Sequence, residues 1–284
     1  MSAVVPFVTL TDVELSVLEQ AHLRALGGGG APAGHTSGTD GEVRRSLRAR
    51  GLLTADGGLA TGSSTADEPP DLAGAVGLAL DVRLAADVVV VAQRLVGRLV
   101  GRLVDGQRQS DAPSAVGSAR VLHLTGAGAC VEDLDEEGLV SLSLTTDPAR
   151  AAGSLPDALL PPDAVDGTGE PVQVVPGALG RLPEVLGRPT VLAELTVLLP
   201  AEPAPGQDED GRHPDGAPAA TRVMLALGPG GCWAGQAGQA GPGEDARFTL
   251  HPVQRTWLAE RAALTVEAVM GPPRPAPEDG TMGR

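Results

Sequence analysis

The sequence predicts an α+β fold: two similar half-domains related by a pseudo-two-fold axis, with an antiparallel sheet flanked by helices. Three observations predict it. A strand–turn–strand unit occurs twice along the chain, each copy turns through a Gly-rich link, and helical stretches with capping signals lie around both copies. Hairpins combined with helices, rather than alternating βα units, are the pattern of an α+β domain.

The repeat compares Arg120–Val131 with Arg222–Trp233 at a constant offset of 102 residues. Arg, Val, two glycines (Gly126 and Gly128 against Gly228 and Gly230) and a cysteine (Cys130 against Cys232) coincide. The following strand recurs as Leu142–Leu144 and Phe248–Leu250, and each copy is followed by a helix start with proline in the first turn, Asp147-Pro148 and His251-Pro252. A repeat of about a hundred residues is too long for a solenoid unit and implies two half-domains. The expected division is 1–164 and 165–271, with an unstructured Pro-rich acidic insertion at 201–220 and a flexible tail at 272–284.

Taken in order, Val4–Leu10 reads as a short strand. Thr11-Asp12-Val13-Glu14 is a capping box that opens a helix with Leu15, Leu18, Ala21, His22 and Ala25 on one face. Gly27–Gly30 ends it. A second capping box, Thr39–Glu42, opens a helix ending near Gly51, with Arg44, Arg45, Arg48 and Arg50 on a solvated face. Asp71 caps a third helix running through Leu80. Val88 to about Leu103 reads as a long strand, because two glycines would cost a helix about 1 kcal/mol each and the valines are β-branched. On that strand Arg94, Arg98 and Arg102 share a face. This is either a solvated stripe or a docking surface.

Composition narrows function. The 284 residues carry 21 basic and 36 acidic side chains, a net charge of −15. So acidic a surface disfavours nucleic acid and anionic membrane as partners. All the basic residues are Arg. There is no Lys and no Tyr, so a Walker A lysine, a Schiff base and a tyrosine acid are excluded. No disulfide framework, secretory leader or membrane span is read, and the chain is expected in the cytoplasm. Gly126-x-Gly128 lacks the third glycine of a dinucleotide turn and reads as a hairpin. The five histidines are scattered, and neither HExxH nor GxSxG occurs. Asp133, Asp135, Glu136 and Glu137 do not match a calcium loop. No catalytic residue, metal ligand or cofactor is expected. Trp233, after a Gly-rich turn, is read as an exposed anchor for a partner, and Trp257 as core.

The opening VTLTDVELSVLEQ, the phrase LRARGLLTADGGLA and the units RVLHLTGAGAC…VSLSLTTDPAR and RVMLALGPGGCW…RFTLHPVQR together resemble the EspG family, chaperones of actinobacterial type VII (ESX) secretion. The lack of residues with AT-rich codons fits such a GC-rich source. The resemblance is diffuse but covers most of the chain. It implies a cytosolic non-enzymatic chaperone that binds secreted helical pairs of the PE–PPE type, keeps them soluble and guides them to export. The family binds through its central sheet, the loop between its second and third strands, and its C-terminal helices. Carried onto this sequence, the loop residues are Asp105, Gln107, Arg108, Gln109 and Asp111, beside Arg98 and Arg102. Two departures stand out: the paucity of aromatics and the long acidic insertion. Two other readings stay open. One is a winged-helix regulator built on 15–58, and the other an α+β enzyme without a recognised motif. Homodimerisation also stays open.

Overall fold

Ten strands form one sheet in the order β1-β5-β4-β3-β2-β7-β8-β9-β10-β6. The structure is a computed structural model that describes residues 4–27, 38–62, 71–96, 117–174, 186–187, 189–199, 219–236 and 248–270. The strands are β1 (Val8–Thr11), β2 (Val88–Val96), β3 (Ser118–Thr125), β4 (Gly128–Leu134), β5 (Leu139–Thr145), β6 (Val172–Val174), β7 (Val191–Leu199), β8 (Ala219–Gly228), β9 (Gly231–Gln236) and β10 (Phe248–Pro252). The helices are α1 (Asp12–Ala25), α2 (Gly38–Ala49), α3 (Leu72–Leu84), α4 (Pro148–Ala152), α5 (Leu155–Leu159) and α6 (Trp257–Met270). Every ladder is antiparallel. The α+β class expected from the sequence is the one observed.

Local chemistry explains the helix ends. The Thr11 hydroxyl accepts from the Glu14 N–H while Glu14 accepts from the Thr11 N–H, so the capping box closes as expected. Asp71 accepts from Gly74 N–H at the start of α3. Asp147 caps α4, with Pro148 in its first turn. At the end of α2, Leu52 N–H reaches Leu47 O and Gly51 N–H reaches Arg48 O. Gly51 carries the positive φ of +72° that such a C-terminal motif needs.

Glu14 does more than cap. Burial alone pushes its carboxyl up. The Thr11 N–H, the Ser46 hydroxyl and the Arg50 guanidinium outweigh that and hold it below the usual carboxylate value. Arg50 also donates to Thr9 O (2.9 Å), which ties α2 to the edge strand β1. Arg50 is exposed, as the solvated-face reading expects, and its fork also meets Glu14 and the β1 backbone. A depressed folded-state pKa stabilises above the unfolded value, about 4.5, and that stabilisation is lost as pH falls through the lower folded value. Urea unfolding at pH 7 and near pH 3 is expected to show a smaller pH difference for Glu14→Gln than for the native chain.

The sheet has two unlike faces, because residues alternate along each strand. One face carries Val88, Val90, Ala92, Leu122, Leu124, Val131, Leu195 and Leu225, buried under α4, α5 and Leu258 of α6. The other is covered at one end, where α1, α2 and α3 pack on Val8, Leu10, Cys130, Val140 and Leu142. At the opposite end Leu186, Leu192, Ala226, Trp233 and Leu250 form a smaller cluster.

The strand order reads the same from either end once the second five strands are numbered from one. The central ladder pairs β2 with β7, and Ala92 faces Leu195. A local two-fold at that pair carries Val88 onto Val191, Leu122 onto Leu225 and Gly128 onto Gly231, each 103 residues on. The ladder registers of the central strands follow an offset of 103, one residue from the cysteine alignment at 102. Thr125 closes its hairpin on Gly128 and Gly228 closes on Gly231, so Cys130 corresponds to Trp233, while Cys232 corresponds to Ala129. A one-residue slip exchanges faces: Cys130 packs under α1–α3, Cys232 under α4–α6.

A second correction concerns His251-Pro252. These residues end β10 rather than starting a helix. Val253 N–H still donates to Cys232 O, and the chain then turns at 255–256 before the helix starts at Trp257. Strand β2 is seen as Val88–Val96, and the part of the long-strand reading beyond it lies outside the described residues.

Candidate docking face

Between its two covered ends, none of the described helices packs on the second sheet face over β2, β7 and β8, and α3 borders β3, which leaves this face open among the described residues. Burial along β2 runs Val88 buried, Val89 half-buried, Val90 buried, Val91 half-buried, Ala92 buried, Gln93 exposed. The alternation leaves Val89, Val91 and Gln93 pointing away from the α4–α6 core. Their neighbours across β3 and β7 are His123, Val121 and Ala119, and Leu198, Thr196 and Glu194. Beyond β7, Arg222 faces Thr196 and Met224 faces Glu194. The result is a shallow platform of valines and Leu198 with a polar patch on β7–β8. Thr196 Oγ1 donates to Glu194 Oε1 (3.0 Å), and Arg222 Nε lies 3.6 Å from the same oxygen.

The rim beside α3 is held by a chain of charge. Arg83 of α3 bonds to Glu19 of α1 and to Glu132 of β4, and Glu132 Oε1 lies 2.8 Å from His123 Nε2 on β3. His22 Nε2 meets Asp81 Oδ1 at 2.9 Å. Four elements are thereby locked at one edge of the open face. His123 Nε2 thus meets the Glu132 carboxylate from the neighbouring strand.

Cys130, His123 and Glu132 lie on one sheet face, with Cys130 directly opposite His123 in the β3–β4 ladder. The residue types suit nucleophilic catalysis, but the environment does not. Cys130 is fully buried, and burial together with the Glu132 charge pushes its thiol up to about 12. At neutral pH it holds its proton and is no nucleophile. Cys232 is raised too, by burial and then by Asp166. It lines a cleft of about 280 Å³ with Thr190, Asp163 and the Gly228–Gly231 turn. A thiol-specific disulfide reagent at pH 8 is expected to modify neither cysteine in the native protein and both after denaturation. Among the described residues no cluster of three or more His, Cys, Asp or Glu could hold a metal ion. None of the helices there is long and apolar enough to cross a membrane.

The residues singled out from sequence fare unevenly. Trp233 is a correction: it is 4% exposed, its Nε1 donates to Gly230 O (3.1 Å), and its ring packs with Leu192, Ala226 and Leu250. The Gly-rich turn does not expose it, because strand alternation after Gly231 points residue 233 into the smaller cluster. Arg94 is half-buried on the α4–α6 side, opposite Ser118 and Ala193, so at this position the stripe is not an exposed one. Arg98, Arg102, Asp105, Gln107, Arg108, Gln109 and Asp111 lie outside the described residues. Sequence reasoning missed Val89, Val91, Val121, Glu194, Thr196 and Arg222. One signal was present: Glu194 and Thr196 interrupt an otherwise apolar run from Val191 to Leu199 on alternate positions.

Comparison with protein-family models finds no match, and neither does comparison with curated proteins. Among solved structures the fold is similar to that of the Mycobacterium tuberculosis type VII secretion system chaperone EspG5, determined in complex with the PE25–PPE41 dimer. The TM-score is 0.54 over 92% of this chain and 96% of that chain, with 14% sequence identity. The likeness is one of fold.

Proposed function

We propose that this chain is a cytoplasmic, non-enzymatic chaperone or adaptor of the EspG kind. Its open central sheet face binds a secreted helical pair of the PE–PPE type, keeps it soluble and guides it to a type VII secretion machine. The observation that carries this reading is the likeness of fold to a chaperone of that system along nearly the whole chain. The physics of the open face supports it. A platform of Val89, Val91, Val121 and Leu198 offers apolar contact without a deep pocket, and the net charge of −15 keeps the free protein in solution.

On the resemblance alone we extend the docking region to Asp105, Gln107, Arg108, Gln109 and Asp111, with Arg98 and Arg102 beside them. We also infer that 1–164 and 165–271 are two copies of one ancestral unit. The palindromic strand order and the common 103-residue register support this.

The test is co-expression of the chain with a PE–PPE-type pair from the same genome, read by size exclusion with light scattering. A stoichiometric ternary complex, and a pair that precipitates when expressed without the chain, are expected. A pair whose solubility is indifferent to the chain contradicts the reading. Tight binding of the free chain to duplex DNA at low salt would favour the winged-helix alternative.

A further inference from the structure

The pairing register of the four central strands is two-fold symmetric about Ala92 and Leu195, but the side chains are not. Rotation about that pair carries Val91 onto Glu194 and Ala119 onto Arg222. Other related pairs keep their character: Val121 falls on Met224 and Val89 on Leu192. One half of the platform is thus apolar, and the other carries an ion pair at the same two places.

A helix laid along the strands would meet the same backbone relief either way round. The related positions Gln93/Thr196 and His123/Ala226 also differ, and the Glu194–Arg222 pair is where a carboxylate and a guanidinium stand against Val91 and Ala119. Arg222 is 66% exposed, and its Nε sits 3.6 Å from Glu194, beyond a hydrogen bond. Glu194 is itself engaged by Thr196 Oγ1. Arg222 is the one arginine on this face of the four central strands among the described residues, in a chain of net charge −15. Its planar fork matches a carboxylate in bidentate fashion.

We propose that Arg222, steadied by Glu194 and Thr196, determines the orientation of the bound partner by receiving a carboxylate from a helix whose apolar stripe lies on Val89, Val91 and Val121. This deepens the docking reading above and rests on it. The occupant is an amphipathic helical segment with an acidic side chain toward one end.

The experiment uses the full chain and the same PE–PPE-type pair. A photo-crosslinking residue is placed at Gly126 or at Pro229, exposed turn positions at opposite ends of the central strands. In the native background each position is expected to capture one end of the client helix. Arg222→Ala is expected to weaken binding roughly tenfold, the loss of one hydrogen-bonded charge. The double variant Glu194→Val/Arg222→Ala gives these two places the chemistry of Val91 and Ala119. It is expected to bind with both crosslinkers capturing both ends. Both side chains are substantially exposed, so the fold is expected to survive, and thermal unfolding checks this. A double variant that keeps native affinity and a single crosslink pattern overturns the orientation role and leaves the docking reading intact. Failure of the native chain to bind the pair overturns both.

Discussion

Replacing Arg83 by Met is expected to lower the unfolding free energy by about 3 kcal/mol, the lower end for breaking a buried ion pair. The Arg83 side chain is 18% exposed and Glu132 10%. Removing the guanidinium leaves the Glu132 carboxylate beside Cys130 with His123 as its remaining neighbour and little access to water. The contact to Glu19, 38% exposed, adds little, because water screens it. A loss of that size corresponds to roughly 6 to 12 °C in Tm for a chain of this length. The double variant Arg83→Met/Glu132→Gln is expected to recover much of the deficit, since the penalty lies in the uncompensated charge rather than in the lost contact. Urea unfolding of the two variants beside the native chain measures both quantities. A single-variant loss below about 1 kcal/mol would mean that water solvates Glu132, contrary to its burial.

Trp233→Ala is expected to cost about 3 to 5 kcal/mol, the range for truncating a large buried aromatic. The ring fills the space between Leu186, Leu192, Ala226 and Leu250, and its Cη2 is 3.4 Å from where a Cβ on Gly169 would stand. That glycine has φ +117°, a conformation other residues rarely adopt, so ring and turn depend on each other. An exposed anchor would give the opposite result: a change within about 0.5 kcal/mol and a loss of partner binding only. Chemical denaturation of the purified variant separates the two.

Much of the fold was legible in the sequence because its signals are local. The Thr11–Glu14 capping box and Asp71 fix the starts of α1 and α3, whereas α2 begins at Gly38, ahead of the expected box at Thr39, and the Gly-rich turns fix the β3–β4 and β8–β9 hairpins. What was not legible depends on register. The two cysteines suggested an offset of 102, but pairing across the hairpin ends follows 103, and one residue decides which face a side chain occupies. Trp233 was misread because its place after a Gly-rich turn does not show which face the strand gives it. Helix α6 was placed too early because a proline at a strand end resembles a proline at a helix start when the neighbouring strand is unknown. The docking face was hidden for a different reason. Valines on both faces of β2 look equally suited to burial, and only the placement of α1–α3 over β1, β5 and β4 leaves Val89 and Val91 half-exposed. The Glu132–Arg83–Glu19 chain joins residues over a hundred positions apart, which no local pattern reports.

The central claim is that the open face of β3, β2, β7 and β8 receives a helical client. Hydrogen exchange of the full chain, with and without the co-purified PE–PPE-type pair, tests it most directly. The account predicts that binding slows exchange in 88–96 and 191–199, with weaker effects in 118–125 and 219–228 and none in the edge strands 8–11 and 172–174. Protection confined to the edge strands or to α1–α3, with the central strands unchanged, would contradict it.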